Sequence, residues 1–134
     1  MRFILPRLIQ PILDLNELSR PFLDDEIAKV LKELPVDRAP GPDGFSGLFV
    51  KQCWFIIEPN FLRLIKDFHD GKLSLESING SLITLIPKML SPESPDDFRP
   101  ISLTNTCLKF LTKLLANRLQ SVILKCIHKN QYGF

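Results

Sequence analysis

The sequence has few of the side chains from which most enzyme sites are built. It contains three cysteines, Cys53, Cys107 and Cys126, widely spaced and odd in number. They suit neither a disulfide framework nor a paired zinc-ligand pattern, and they read as small buried hydrophobes. Its two histidines, His69 and His128, lie far apart, and the nearest thing to a metal pair, Cys126-Ile127-His128, is weak. Neither GxGxxG nor a P-loop occurs, which excludes nucleotide hydrolysis by the P-loop route. No run reaches the roughly 18 to 20 apolar residues that a bilayer crossing requires. The opening stretch is apolar but interrupted by Pro6, Arg7 and Pro11, and it lacks a small-residue cleavage site. A soluble intracellular protein without a membrane partner is therefore the expectation.

Acid is also missing from the last part of the chain. Residues 98–134 carry six basic and no acidic side chains, whereas residues 1–97 carry 11 basic and 15 acidic ones. The net charge of +2 conceals this asymmetry. A cationic section of this kind favours an anionic partner such as a nucleic-acid backbone or a triphosphate, through Coulomb attraction and counterion release. Charge alone fits a solvated basic helix face equally well.

What is present suits one modest folded domain: 134 residues, 45% hydrophobic and 24% charged. Asp24 is expected to cap a helix with Ile27, Val30, Leu31 and Leu34 on one face, ended by Pro35. Residues 36–45 crowd together Pro40, Gly41, Pro42, Asp43 and Gly44, which prohibits both helix and central strand and predicts an ordered loop. Ser46 can cap a second helix with Phe49, Cys53 and Ile56 on one face. Pro59 suits the first turn of a third, which carries Phe61, Leu64, Ile65 and Phe68 and is stopped at Gly71.

The segment Ser81 to Pro87 reads as a strand, and Arg99 to Leu103 returns as its partner, with Pro100 marking an edge or a strand start. From Thr104 or Asn105 a long helix is expected to run to about Ile127. Its expected buried stripe is Leu108, Leu111, Leu115, Leu119 and Val122. The whole reads as an α+β fold, mostly helical with one short β-hairpin.

Two-metal phosphoryl transfer needs carboxylates that hold both ions about 4 Å apart. Asp24-Asp25 at a helix start and Asp96-Asp97 in a Pro and Ser turn are better explained by local structure. Cations are the more informative candidates. Lys88 leaves the first strand and Arg99 opens the second, so a hairpin brings them together, where arginine could grip phosphate bidentately and lysine as a point charge. Solvation of a loop is the competing reading.

Three ordered segments carry a resemblance: Arg38-Ala39-Pro40-Gly41-Pro42-Asp43-Gly44-Phe45, Ile83-Thr84-Leu85-Ile86-Pro87-Lys88 and Phe98-Arg99-Pro100-Ile101-Ser102-Leu103. Together they resemble the reverse transcriptase of non-LTR retrotransposons, most closely the plant long interspersed elements. Trp54, residues 68–73, Asn79, the run Lys113 to Leu119 and the closing Gln131-Tyr132-Gly133-Phe134 support it. Arg38 stands where the family usually has lysine, and Tyr132 where a small residue is usual.

The resemblance implies an extension over residues 1–16, then a partial reverse transcriptase domain over 17–134 forming fingers of a right-hand polymerase. It implies that Lys88 and Arg99 contact the incoming deoxynucleotide triphosphate. Arg38, Pro40, Gly41, Asp43, Gly44, Lys109, Lys113 and Arg118 would contact the template and primer. Partners of the whole enzyme would be an RNA template, a DNA primer and the triphosphate. The family's catalytic aspartates are expected beyond Phe134, so the chain is expected to bind no cofactor, magnesium belonging to the full-length polymerase. The alternative is a non-catalytic nucleic-acid-binding remnant or a pseudogene product.

Overall fold

The computed structural model describes residues 16–126. Outside them lie most of the expected N-terminal extension, His128, the Cys126-Ile127-His128 pair as a unit, and Gln131 to Phe134.

After a short helix α1 (Asn16–Ser19), the chain enters α2 (Asp24–Glu33) through an extended Leu23. Leu23, not Asp24, is the N-cap residue. Leucine has no oxygen to cap with, so Glu26 reaches back and accepts the Leu23 amide at 2.8 Å, while Asp24 and Asp25 sit in the first turn where the helix dipole favours anions. The expected face is present: Ile27, Val30 and Leu34 are buried and Leu31 lies against the core.

Helix α3 (Gly47–Gln52) begins at Ser46, whose hydroxyl accepts the Phe49 amide at 3.2 Å, as expected. The expected Phe49, Cys53 and Ile56 face does not form. The chain bends at Cys53 and restarts at once as α4 (Trp54–His69), so α3 buries Gly47 and Val50, while Phe49 in α3 and Ile56 in α4 are exposed. Pro59 therefore lies inside α4, not at its start. The carbonyl it leaves unbonded is that of Phe55, a residue 79% exposed, where water can serve it. Gly71 follows α4 with φ +69°, the left-handed stop that glycine allows.

Strands β1 (Ser81–Pro87) and β2 (Phe98–Thr104) form an antiparallel hairpin with Ser81 opposite Thr104 and Ile86 opposite Arg99. Helix α5 (Thr106–Cys126) follows. Its buried face differs from the expected leucine stripe: Phe110, Leu111, Leu114, Arg118 and Val122 are buried, while Leu115 and Leu119 are 40% and 46% exposed. Phe110 stacks on Trp54 at 5.8 Å and meets Phe61 edge-on at 5.3 Å, and Arg118 is drawn inward by Glu26. These anchors turn the helix away from Leu115 and Leu119.

The core is the meeting of α2, α4 and α5 through Ile27, Val30, Ile65, Phe110, Leu111 and Leu114. The hairpin stands apart from it. Every residue of β1 is exposed, among them Leu82, Ile83, Leu85 and Ile86. No helix among the described residues is long and apolar enough to cross a membrane.

Candidate functional site

The hairpin register decides where Lys88 and Arg99 lie relative to each other. Side chains alternate along a strand and cross-strand partners share a face, so Ile86 and its partner Arg99 point the same way. The Lys88 amide donates to the Asp97 carbonyl at 2.7 Å, which holds Lys88 in the bend one step beyond the last register pair, Pro87 with Phe98. Lys88 and Arg99 are thus both held at the turn end of the hairpin. Arg99 is exposed, and the Lys88 ammonium donates to the Asp96 carbonyl at 2.6 Å. Among the described residues neither forms an ion pair. The nearby Asp97 carboxylate is turned into its own turn, where it accepts the Glu93 and Ser94 amides at 3.0 Å each. Those amides hold its carboxyl below the usual carboxylate range.

The Pro and Gly loop is fastened to the other end of the hairpin. Residues 41–44 make a tight turn closed by the Gly44 amide on the Gly41 carbonyl at 3.0 Å, and Asp43 Oδ1 accepts the Phe45 amide at 3.1 Å. Gly44 has φ +72°. Gly41 lies against the Thr104–Asn105 peptide so closely that any Cβ would collide with backbone. Asn105 Oδ1 accepts the Asp43 amide at 3.2 Å, and its Nδ2 donates to the Ile78 carbonyl at 3.0 Å. The Thr106 hydroxyl donates to the Phe45 carbonyl at 2.6 Å, and the Lys109 ammonium to the Ala39 carbonyl at 2.9 Å.

Between the loop, α2, β2 and α5 opens a groove of about 640 Å³. Arg38, Lys109 and Lys113 line it with a single acid, Glu33, and Leu34, Pro35, Ile101 and Leu103 supply apolar walls. Lys113 pairs with Glu33 at 3.3 Å, which holds the Glu33 carboxyl below its ordinary range. Three cations beside apolar walls suit a ligand that carries phosphates.

Arg118 lies elsewhere. Its side chain is 6% exposed, its Nε and Nη2 hold both Glu26 oxygens at 2.8 and 2.7 Å, and it donates further to the carbonyls of Leu18, Arg20 and Pro21. Its guanidinium also stacks over the Phe22 ring at 4.0 Å. Every donor direction faces the protein, so this residue is an internal tie and not an open phosphate contact. Residue type alone does not separate it from Lys109 and Lys113. Its interval of four and eight residues from Leu114 and Phe110 on α5 is the signal that does.

Among the described residues no three His, Cys, Asp or Glu side chains converge on a common point. Asp24 and Asp25 open a helix, Glu26 and Glu33 are ion-paired, Asp70 is held by Lys72 and His69, and Asp97 caps a turn. These carboxylates do not fit a paired divalent-cation site, and no chemical step is assigned through one. Cys107 is half-buried, which pushes its thiol up and makes it a poor nucleophile.

No family model matches the chain. Over 117 residues, 87% of its length, it is 32% identical to an uncharacterized 149 kDa protein of transposon TX1 from Xenopus laevis. Over 122 residues, 86% of its length, it is 26% identical to a probable RNA-directed DNA polymerase from transposon BS of Drosophila melanogaster. Over 85 residues, 63% of its length, it is 34% identical to the retrovirus-related Pol polyprotein of the type-2 retrotransposable element R2DM, also of Drosophila melanogaster. The matched stretches span only 9%, 13% and 8% of these curated relatives.

Proposed function

We propose that this chain, a homologue of non-LTR retrotransposon proteins, is the nucleotide- and template-gripping part of a reverse transcriptase, corresponding to fingers of a right-hand polymerase. The observation that carries the reading is the hairpin, which brings Lys88 and Arg99 to its turn end with no ion pair to either among the described residues. Two adjacent, unneutralised cations on an exposed ribbon suit the triphosphate of an incoming deoxynucleotide, arginine through its planar fork and lysine as a point charge.

Arg38, Lys109 and Lys113 rim the groove and would follow the backbone of an RNA template or its DNA primer. Pro40, Gly41, Asp43 and Gly44 serve that contact by shaping the loop. Arg118 leaves the contact set and becomes the tie that fixes α5 on α2. The chain contributes positive grip to the polymerase, while Glu26, Glu33 and Asp70 are ion-paired and Asp97 is held in its own turn. In the whole enzyme, RNA template, DNA primer and deoxynucleotide triphosphate would be the partners.

A second reading, a nucleic-acid-binding module without a polymerase around it, draws on the same cations and on the bare apolar hairpin. Equilibrium binding of a deoxynucleotide triphosphate to the purified chain tests the first. Saturable binding that falls about tenfold or more on Lys88→Ala together with Arg99→Ala is expected. Unchanged binding in the double variant would remove the hairpin from the site.

A further inference from the structure

We propose that Asn105 is a positioning residue, which locks the Pro and Gly loop to the root of the hairpin so that cations on both engage one phosphate chain together. The proposal rests on the nucleic-acid reading above and adds to it a residue that touches no ligand.

Asn105 stands directly before α5, and its carbonyl accepts the Lys109 amide, which makes it the N-cap residue. An asparagine in that place ordinarily turns its side chain onto the first free amides of its own helix. Here it turns away. Its Oδ1 takes the Asp43 amide in the loop, and its Nδ2 takes the Ile78 carbonyl ahead of β1. The residue is 9% exposed, so both bonds are shielded from water and neither end is idle.

One side chain therefore joins three segments: the loop, the entry to β1 and the junction of β2 with α5. Gly41, seated on the Thr104–Asn105 peptide, leaves the loop no room to slide. Arg38 belongs to the loop and Arg99 to the hairpin, and among the described residues no hydrogen bond or ion pair links those two side chains directly. Their relative placement depends on this junction. A ligand gripped by both gains from a fixed spacing because ordering has been completed before it arrives.

The test is a double-mutant cycle on the full 134-residue chain with single-stranded RNA as probe. Asn105→Asp keeps the acceptor for Asp43 and loses the donor for Ile78, which releases the hairpin root while leaving the loop contact. Arg99→Ala and Asn105→Asp are each expected to weaken binding by about threefold or more. In the Asn105→Asp chain, Arg99→Ala is expected to cost less than about twofold, because a released hairpin no longer presents that cation. Ile65→Val, which loosens the core without removing either Asn105 hydrogen bond, should combine with Arg99→Ala multiplicatively. Losses from Asn105→Asp and Arg99→Ala that simply multiply would overturn the positioning role. Where the aspartate variant does not fold, Asn105→Ser, an uncharged acceptor, takes its place with the same expectation. Amide exchange separates the two failures. If Arg99→Ala leaves RNA binding unchanged, the nucleic-acid reading falls and the positioning role with it. If exchange at the strand ends Ser81 and Thr104 is unaltered by either Asn105 variant, the junction itself is refuted.

Discussion

The Arg118 guanidinium holds both carboxylate oxygens of Glu26, at 2.8 and 2.7 Å, and so ties α5 to α2 across 92 residues of sequence. Its remaining donors reach the carbonyls of Leu18, Arg20 and Pro21, so one buried side chain closes the N-terminal turn over the core. Removing one partner of such a pair strands the other charge away from water.

Arg118→Met should therefore cost about 3 to 5 kcal/mol of unfolding free energy, read from urea denaturation. Changing Glu26 to Met as well should recover only part of that loss, because the three carbonyls still lack their donor. Full recovery would show that the carboxylate alone matters.

The same pair sets the acid limb of stability. The Arg118 hydrogen bonds first, then the Leu23 amide and the charges of Arg118 and Arg20, pull the Glu26 carboxyl from 4.5 down to about 2. A depressed carboxylate stabilises the fold above its unfolded value and ceases to do so once protonated in the folded state. This contribution is complete above pH about 4.5, declines between 4.5 and 2, and is gone below about 2. With Glu26 24% exposed, the change amounts to about 2 to 3 kcal/mol. Urea midpoints for the native chain should fall across that window, and Glu26→Gln should flatten the decline.

The two loop glycines should respond differently. Gly44→Ala meets open space but must adopt φ +72°, a cost of about 1 to 2 kcal/mol. Gly41→Ala drives a methyl into the Thr104–Asn105 backbone and should displace the whole loop. Thermal melting should therefore fall further for Gly41→Ala, with amide protection lost at Gly44 and Phe45.

Lys113 separates binding from stability. Its pair with Glu33 is half in solvent, the side chains being 48% and 38% exposed, so Lys113→Ala should shift unfolding by less than about 1 kcal/mol. RNA retention should nevertheless weaken, because one of three groove cations is gone. Loss of stability without loss of binding would reverse the assignment.

Much of this was legible in the residues. Ser46, Gly71 and the Pro and Gly cluster act locally, through a hydroxyl, a positive φ and a missing amide, so short-range rules find them. The hairpin follows from the β-branched stretch Ser81 to Pro87 and the return at Arg99 to Leu103, which the structure lengthens to Phe98–Thr104. Of the expected α5 stripe, Leu111 and Val122 are buried but Leu115 and Leu119 are not, because leucine spacing allows several adjacent faces, and Trp54, Phe61 and Glu26 select among them only after folding. Helix α4 absorbed Pro59 because its unbonded carbonyl faces water. Asn105 reads in sequence as an ordinary cap, since its partners Asp43 and Ile78 lie 62 and 27 residues away.

The salt dependence of single-stranded RNA binding tests the phosphate-grip claim most directly. Each neutralised phosphate contributes a slope of about −0.7 to log K against log salt, so Lys88→Ala with Arg99→Ala should make the native slope shallower by about 1.4. A native slope near zero, or one the double substitution leaves unchanged, would contradict the account.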